Sequence, residues 1–165
     1  LTGAATLPGP DDIAEASLAA ARAWIGTPFH HGASLRGVGC DCLGLIRGVW
    51  RDVYGLEPEP SPVYGRKWHL AGRERLLEGL RRHLMEIPIE HARSADVLCF
   101  RAREGGFARH AGIMSAADRM IHAYERAPLC EVHLTDWWWE RAVGAFRFPY
   151  SADTNACCGI RAISR

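Results

Sequence analysis

The sequence predicts an α+β fold, with helices in its first half and an antiparallel sheet in its second. Apolar residues recur at helical spacing up to about residue 86. After Pro88 they gather into short runs with strand character, separated by Gly, Pro and Ala-Asp turn signals. Helices that precede strands, rather than alternate with them, indicate a sheet without βαβ crossovers. The 165 residues suit one domain, expected over 1–150, with 151–165 as a C-terminal tail of little periodicity and expected flexibility.

Residues 1–10, with Gly3, Pro8, Gly9 and Pro10, read as an irregular lead-in. Asp11 or Asp12 can cap a helix running to about Gly26, with Ile13, Leu18, Ala21 and Ile25 on one face. A Gly-rich loop, TPFHHGASLRGVG, leads to a second helix over about 41–54, ended by Gly55 and apolar at Leu45, Ile46, Val49 and Val53. The stretch 57–66 is a proline-rich connector. A third helix is expected over about 71–86, with Leu76, Leu77, Leu80, Leu84 and Met85 inward and an Arg-rich solvated face. Strands are expected at 96–100, 109–114, 120–124, 130–134 and 145–148, with a helical turn or more over 136–143.

Twenty basic residues nearly cancel nineteen acidic ones, for a formal net charge of +1. No uniform field is present to hold a nucleic acid backbone, so none is expected as a partner. No apolar run approaches the ~20 residues of a membrane span, and the N-terminus lacks a basic start and an apolar block of signal-peptide length. Six cysteines, at 40, 42, 99, 130, 157 and 158, do not form the two spaced pairs of a zinc ribbon, and no metal or cofactor is expected.

Chemistry is most legible in Gly39-Cys40-Asp41-Cys42-Leu43-Gly44-Leu45-Ile46, where a loop enters an amphipathic helix with Cys42 in its first turn. Unpaired N–H groups and the helix dipole favour a thiolate there, and can help hold an oxyanion after attack on an amide. Gly44 is expected to leave room around the sulfur. His110, opening the run Arg109-His110-Ala111-Gly112-Ile113-Met114, is the expected base, facing the helix if the sheet packs there. A short turn around 116–119 pairs that strand with Met120-Ile121-His122-Ala123-Tyr124, bringing His122 near His110 to fix its tautomer. Cys99 and Cys130, inside apolar strands, read as packing. Cys40 forms a C-x-C pair with Cys42 that could bind metal or oxidise, or is simply packed.

The ordered set Gly26-Thr27-Pro28-Phe29, Asp41-Cys42-Leu43-Gly44-Leu45-Ile46, Ala95-Asp96-Val97-Leu98, His110-Ala111-Gly112-Ile113 and Ile121-His122-Ala123 resembles the NlpC/P60 family of papain-like cysteine peptidases. More narrowly, ARAWIGTPFHHGASLRGVGCDCLGLIRGVWRDVYG and VGAFRFP resemble phage-type cell-wall peptidases encoded with tail genes of phages and gene transfer agents. The resemblance implies a papain-like fold with the catalytic cysteine at a helix N-terminus. It implies hydrolysis of a peptidoglycan stem-peptide amide, typically from D-glutamate, through its γ-carboxyl, to diaminopimelate. It also implies tail or hub proteins as partners, a place in a phage-like particle made without a signal peptide, and action in the target cell's periplasm or wall.

Three departures stand out. Phe29 replaces a Tyr whose hydroxyl helps bind the oxyanion, so the Cys42 N–H needs another donor, with His30 or His31 as the expected source. Leu43 replaces the common Ser, and the loop before Cys42 is one residue longer than in many members. Asp41 has two readings, a substrate-amine ligand or a helix N-cap. Trp68, Trp137, Trp138 and Trp139 could line a groove, with core packing expected for at least two. Rival functions are a structural tail component with a decayed site, a metal or Fe–S protein, and an amidase or acyltransferase of the same fold.

Overall fold

The structure, a computed structural model, describes residues 8–60, 64–65 and 74–150. The tail 151–165, Trp68 and the expected helix start at 71–73 lie outside the described residues.

The first helix, α1, spans Pro10–Ala23. Gly9, not Asp11 or Asp12, is its N-cap; Pro10 opens it, and Asp12 accepts from the Gly9 N–H at 2.8 Å. Ile13, Ser17, Ala21 and the following Trp24 are buried, whereas Ile25 is exposed because the chain has left the helix before reaching it. The Gly-rich loop folds into a small hairpin, β1 (Ser34–Leu35) with β2 (Gly39–Cys40), that delivers the chain to α2, Cys42–Tyr54. Leu45, Ile46, Val49 and Trp50 bury the inner face of α2, and Trp24 ties α1 to it by donating to Asp52 at 2.9 Å.

The third helix is shorter than expected. Helix α3 covers Arg75–His83, and Met85–Ile87 form strand β3 instead of a last helical turn. The exposed edge of the final strand takes up Met85, Glu86 and Ile87, a tertiary pairing that local periodicity does not encode. The remaining elements are β4 (Val97–Arg101), β5 (Ala108–Ala116), β6 (Arg119–His122), β7 (Cys130–His133), α4 (Asp136–Trp139) and β8 (Ala142–Arg147). Helix α4 is a single turn, and Ala142 and Val143, expected to be helical, already belong to β8.

The six-stranded sheet has the order β3-β8-β4-β5-β6-β7, and every neighbouring pair is antiparallel. One face packs Val97, Cys99, Ala111, Ile113 and Ile121 against the apolar sides of the three long helices. The other buries Leu98, Phe100, Met114 and Met120 under Trp138 and Trp139 of α4. Asp96, almost fully buried at the head of β4, holds Arg147 of β8 through two contacts of 2.8 and 2.7 Å. No described helix is long and apolar enough to cross a membrane.

Candidate active site

Cys42 is the first residue of α2, with Asp41 as N-cap. The Asp41 carboxylate accepts from the N–H of Gly44 at 2.8 Å and of Gly32 at 2.7 Å, satisfying an orphan donor of the helix and closing the preceding loop. The capping reading of Asp41 is thus realised. Gly44 answers a different demand from the one expected. A Cβ there would lie 1.9 Å from the Ala33 carbonyl oxygen, so the space is taken by the loop's backbone and not left for the sulfur.

Sheet register brings the two histidines together. Ile113 pairs with Ile121 across the β5–β6 turn, and His110 Nε2 lies 2.9 Å from His122 Nδ1. Gly112 makes room for this: a Cβ there would press on Met120 Sδ at 2.8 Å and His122 Cβ at 3.2 Å. His122 is buried. When its Nδ1 accepts, His110 carries its proton on Nε2, and Nδ1 is left as the basic nitrogen.

His110 does not face the apolar side of α2. Ala111 does, while the His110 ring lies 6.1 Å from that of Phe100 and 5.7 Å from that of Trp138, on the opposite face of the sheet. The two residues nonetheless border one cavity of about 240 Å³, where the start of α2 meets β5 and the Ala111 N–H is directed at the Cys42 sulfur. Phe29, His31, Asp41, Tyr64, Tyr124 and Trp137 also line it.

A helix start favours a thiolate, and the packed site opposes it. Burial, with the Asp41 charge second, pushes the Cys42 thiol up to about 12, against the backbone N–H groups of Ala111, Leu43 and Cys42 that favour the anion. Burial first, then His122 and Arg109, lowers His110 to about 3; burial lowers His122 to about 4. Each group taken alone is thereby pushed toward its neutral form. Either charge alone is disfavoured there, but a thiolate and an imidazolium formed together offset one another.

The connector supplies a residue that sequence reading passed over. Tyr64 enters the cavity and donates its hydroxyl to Asp41, 2.9 Å from Oδ1 and 2.8 Å from Oδ2. Burial and the Asp41 charge raise its phenol above the ordinary value, so it is a donor at any working pH. A tyrosine in a proline-rich stretch near a site that lacks its expected phenol was the available signal. His31 lines the cavity too, with Nε2 3.2 Å from the Tyr64 carbonyl oxygen and Nδ1 3.6 Å from Asp41 Oδ2. His30 packs its ring against Gly39 and does not line the cavity.

Of the tryptophans, Trp138 covers both histidines, 5.7 Å from His110 and 5.4 Å from His122 between ring centres. Trp139 packs against the core and Trp137 is exposed in the cavity wall, under the Arg141 guanidinium at 4.2 Å. Cys40 is fully buried opposite Ser34, Cys99 is fully buried in β4, and Cys130 is half-buried. A larger cavity of about 340 Å³, between α2 and α3, shares Leu43 and Tyr64 with the site but contains neither Cys42 nor His110.

The profile of the NlpC/P60 family matches residues 26–147, three quarters of the chain and every residue just described around Cys42 and His110. The chain belongs to the NlpC/P60 family. Among solved structures it is similar to an NLP/P60 family protein of Staphylococcus aureus, described as similar to lipoprotein, at 22% identity over 92% of this chain and 46% of that one, with a TM-score of 0.59. It is similar to the NlpC/P60 domain of the peptidoglycan hydrolase SagA at 24% identity over 82% and 98%, with a TM-score of 0.55. It is also similar to an NlpC/P60 family protein of Bacillus cereus at 19% identity over 87% and 41%, with a TM-score of 0.60. These likenesses establish the papain-like α+β fold, and the chain spans less than half the length of the Staphylococcus and Bacillus proteins. No significant match exists among curated proteins.

Proposed function

We propose that this NlpC/P60 chain is a cysteine endopeptidase acting on peptidoglycan stem peptides, at the bond from the γ-carboxyl of D-glutamate to diaminopimelate. The observation that carries the reading is the convergence of Cys42, at the start of α2, and His110, tethered by His122, on one cavity. His110 Nδ1 takes the thiol proton as sulfur attacks the amide carbonyl. The tetrahedral oxyanion accepts from the Cys42 N–H at the helix start and from the Tyr64 hydroxyl, whose single proton turns from Asp41 to the oxyanion as the charge forms and so stands in for the phenol missing at Phe29. His110 returns the proton to the leaving amine; water, deprotonated by the same nitrogen, then cleaves the thioester. His122 keeps the imidazole oriented. His31 positions Tyr64, and a substrate amine reaches Asp41 only by displacing the Tyr64 hydroxyl.

Local wall degradation from a phage-like tail, with tail or hub proteins as partners, completes the reading. It is supported by the likeness of the 21–55 and 143–149 segments to phage-type members of the family. The site of action would be the periplasm or wall of the target cell.

Digestion of purified sacculi by wild type and Cys42→Ala tests the mechanism. Muropeptides ending at D-glutamate should appear with wild type and be absent with Cys42→Ala. Equal release by both would remove Cys42 from the chemistry, and no release by either favours a structural tail component. Mass spectrometry of the products identifies the bond and separates an endopeptidase from an amidase of the same fold.

A further inference from the structure

The β4–β5 ladder is interrupted at the cavity. Phe100 pairs with His110, but Arg101 pairs with Ala108, which leaves Arg109 as the extra residue of a β-bulge. Bulges re-aim a side chain out of the regular alternation, and they recur beside active sites. Arg109 and Arg101 both line the cavity that holds Cys42 and His110. Arg109 is exposed and makes no hydrogen bond or ion pair among the described residues. Arg101 is half spoken for: its Nη2 contacts Glu74 at 3.3 Å, while its Nε is buried without a partner. Glu74 is engaged by Arg101 and, through its other oxygen, by the Ala108 N–H at 2.9 Å, and it makes no contact with Arg109 among the described residues.

Two acidic residues also border the cavity, Asp41 and Glu125. Asp41 is held by two backbone N–H groups and the Tyr64 hydroxyl. What remains beside the reacting pair, among the described residues, is a guanidinium without an ion-pair partner at Arg109 and a partly exposed guanidinium at Arg101. Water satisfies an exposed cation, and a carboxylate that enters the cavity replaces that water with charge-assisted bonds to the guanidinium groups.

We infer that Arg109, with the partly exposed guanidinium of Arg101, forms a subsite for a free carboxylate of the substrate next to the scissile amide. The inference rests on the reading of Cys42 and His110 as the reacting pair and adds a specificity to it. The carboxylate is recognised as a planar anion by guanidinium donors, so its carboxamide, neutral and presenting an N–H₂ in place of one oxygen, is discriminated against. Two carboxylates of the proposed substrate fit this chemistry, the α-carboxylate on the γ-linked acyl residue and the carboxylate of the residue that leaves.

Three synthetic stem peptides test the subsite: one with both carboxylates free, one amidated at the α-carboxylate of D-glutamate, and one amidated on diaminopimelate. Wild type should favour the free peptide over one of the two amides by about 10–100-fold in kcat/KM, and the disfavoured amide identifies which carboxylate is read. Arg109→Met should bring that ratio close to one, and Arg109→Lys should keep part of it, whereas a merely structural Arg109 would leave the ratio unchanged. Equal cleavage of all three by wild type, or a ratio that survives Arg109→Met, overturns the subsite and leaves the peptidase reading standing. If wild type cleaves none, the peptidase reading fails and calorimetric binding decides the subsite: about tenfold tighter binding of the free peptide supports it, and equal or undetectable binding overturns it.

Discussion

The cavity has two walls held in place by different means. On the strand side, His110 and His122 are located by the β5–β6 ladder, where pairing of Ile113 with Ile121 leaves the two rings 2.9 Å apart at their nitrogens. On the loop side, Phe29, His31, Asp41 and Tyr64 are located by individual hydrogen bonds between segments distant in sequence, such as Tyr64 to Asp41 and Gly32 to Asp41. A ladder positions a side chain through many cooperative bonds, so removing one side chain leaves its neighbours in place. A loop wall depends on a few bonds, and one lost bond can move several residues. Strand-wall substitutions should therefore act mainly on the chemical step, and loop-wall substitutions on rate and stability together.

The largest effect is expected at His110. His110→Ala should lower kcat on the stem peptide by about 10³-fold or more, with a urea midpoint lowered only by the lost ring packing and the lost bond to His122. His122→Ala should cost less, about 10²-fold, and His122→Asn less again, because an amide oxygen still accepts from His110 Nε2. An Asn variant as damaged as the Ala variant would mean that orientation by acceptance is not what His122 contributes.

Tyr64→Phe sharpens the comparison on the loop side. It should reduce kcat by about 10²-fold, and Phe29→Tyr added to it should restore part of the loss by returning a phenol from the other position. Absence of any rescue would separate the Tyr64 hydroxyl from the oxyanion and leave it as the tie to Asp41. Gly44→Ala probes the loop wall's stability, since its new methyl would meet the Ala33 carbonyl oxygen at 1.9 Å. A loss of about 1–3 kcal/mol in urea unfolding is expected, with the β1–β2 loop displaced.

Stability should also depend on pH. His110 and His122 fall from 6.5 to about 3 and about 4 on folding, so the unfolded chain binds protons below pH 6.5 that the native site refuses. Stability should decline as pH drops from 6.5 toward 3. Cys42 and Cys40 rise from 9.0 to about 12, so the unfolded chain loses protons above pH 9 that the native core keeps. Stability should decline again as pH rises from 9 toward 12. Urea midpoints across pH should peak between these limits, and Cys42→Ala should flatten only the alkaline arm.

Much of the strand wall was legible because its determinants are local. The turn at 116–119 and the apolar alternation on either side predict an antiparallel pair, and the pair places His122 beside His110 without further information. Strand β3 was missed because Met85–Ile87 continue a helical pattern and become extended only against β8. Tyr64 was missed because nothing near it in sequence reports that the connector returns to Asp41, 23 positions earlier. Asp41 had two readings, and the cap on the Gly44 N–H realises one of them without bearing on the other.

Cys42 in the first turn of a helix, the histidine pair on adjacent strands and the order of helices before strands were determined by the sequence alone, since each follows from periodicity and short-range turns. The tertiary structure decided the electrostatic setting of the pair and the makeup of the cavity's mouth. A helix start favours a thiolate, but burial and the Asp41 charge outweigh it, and burial is a property of the packed whole. The phenol that enters beside Phe29 and the bulge that turns Arg109 into the cavity depend likewise on contacts between segments that no local pattern records.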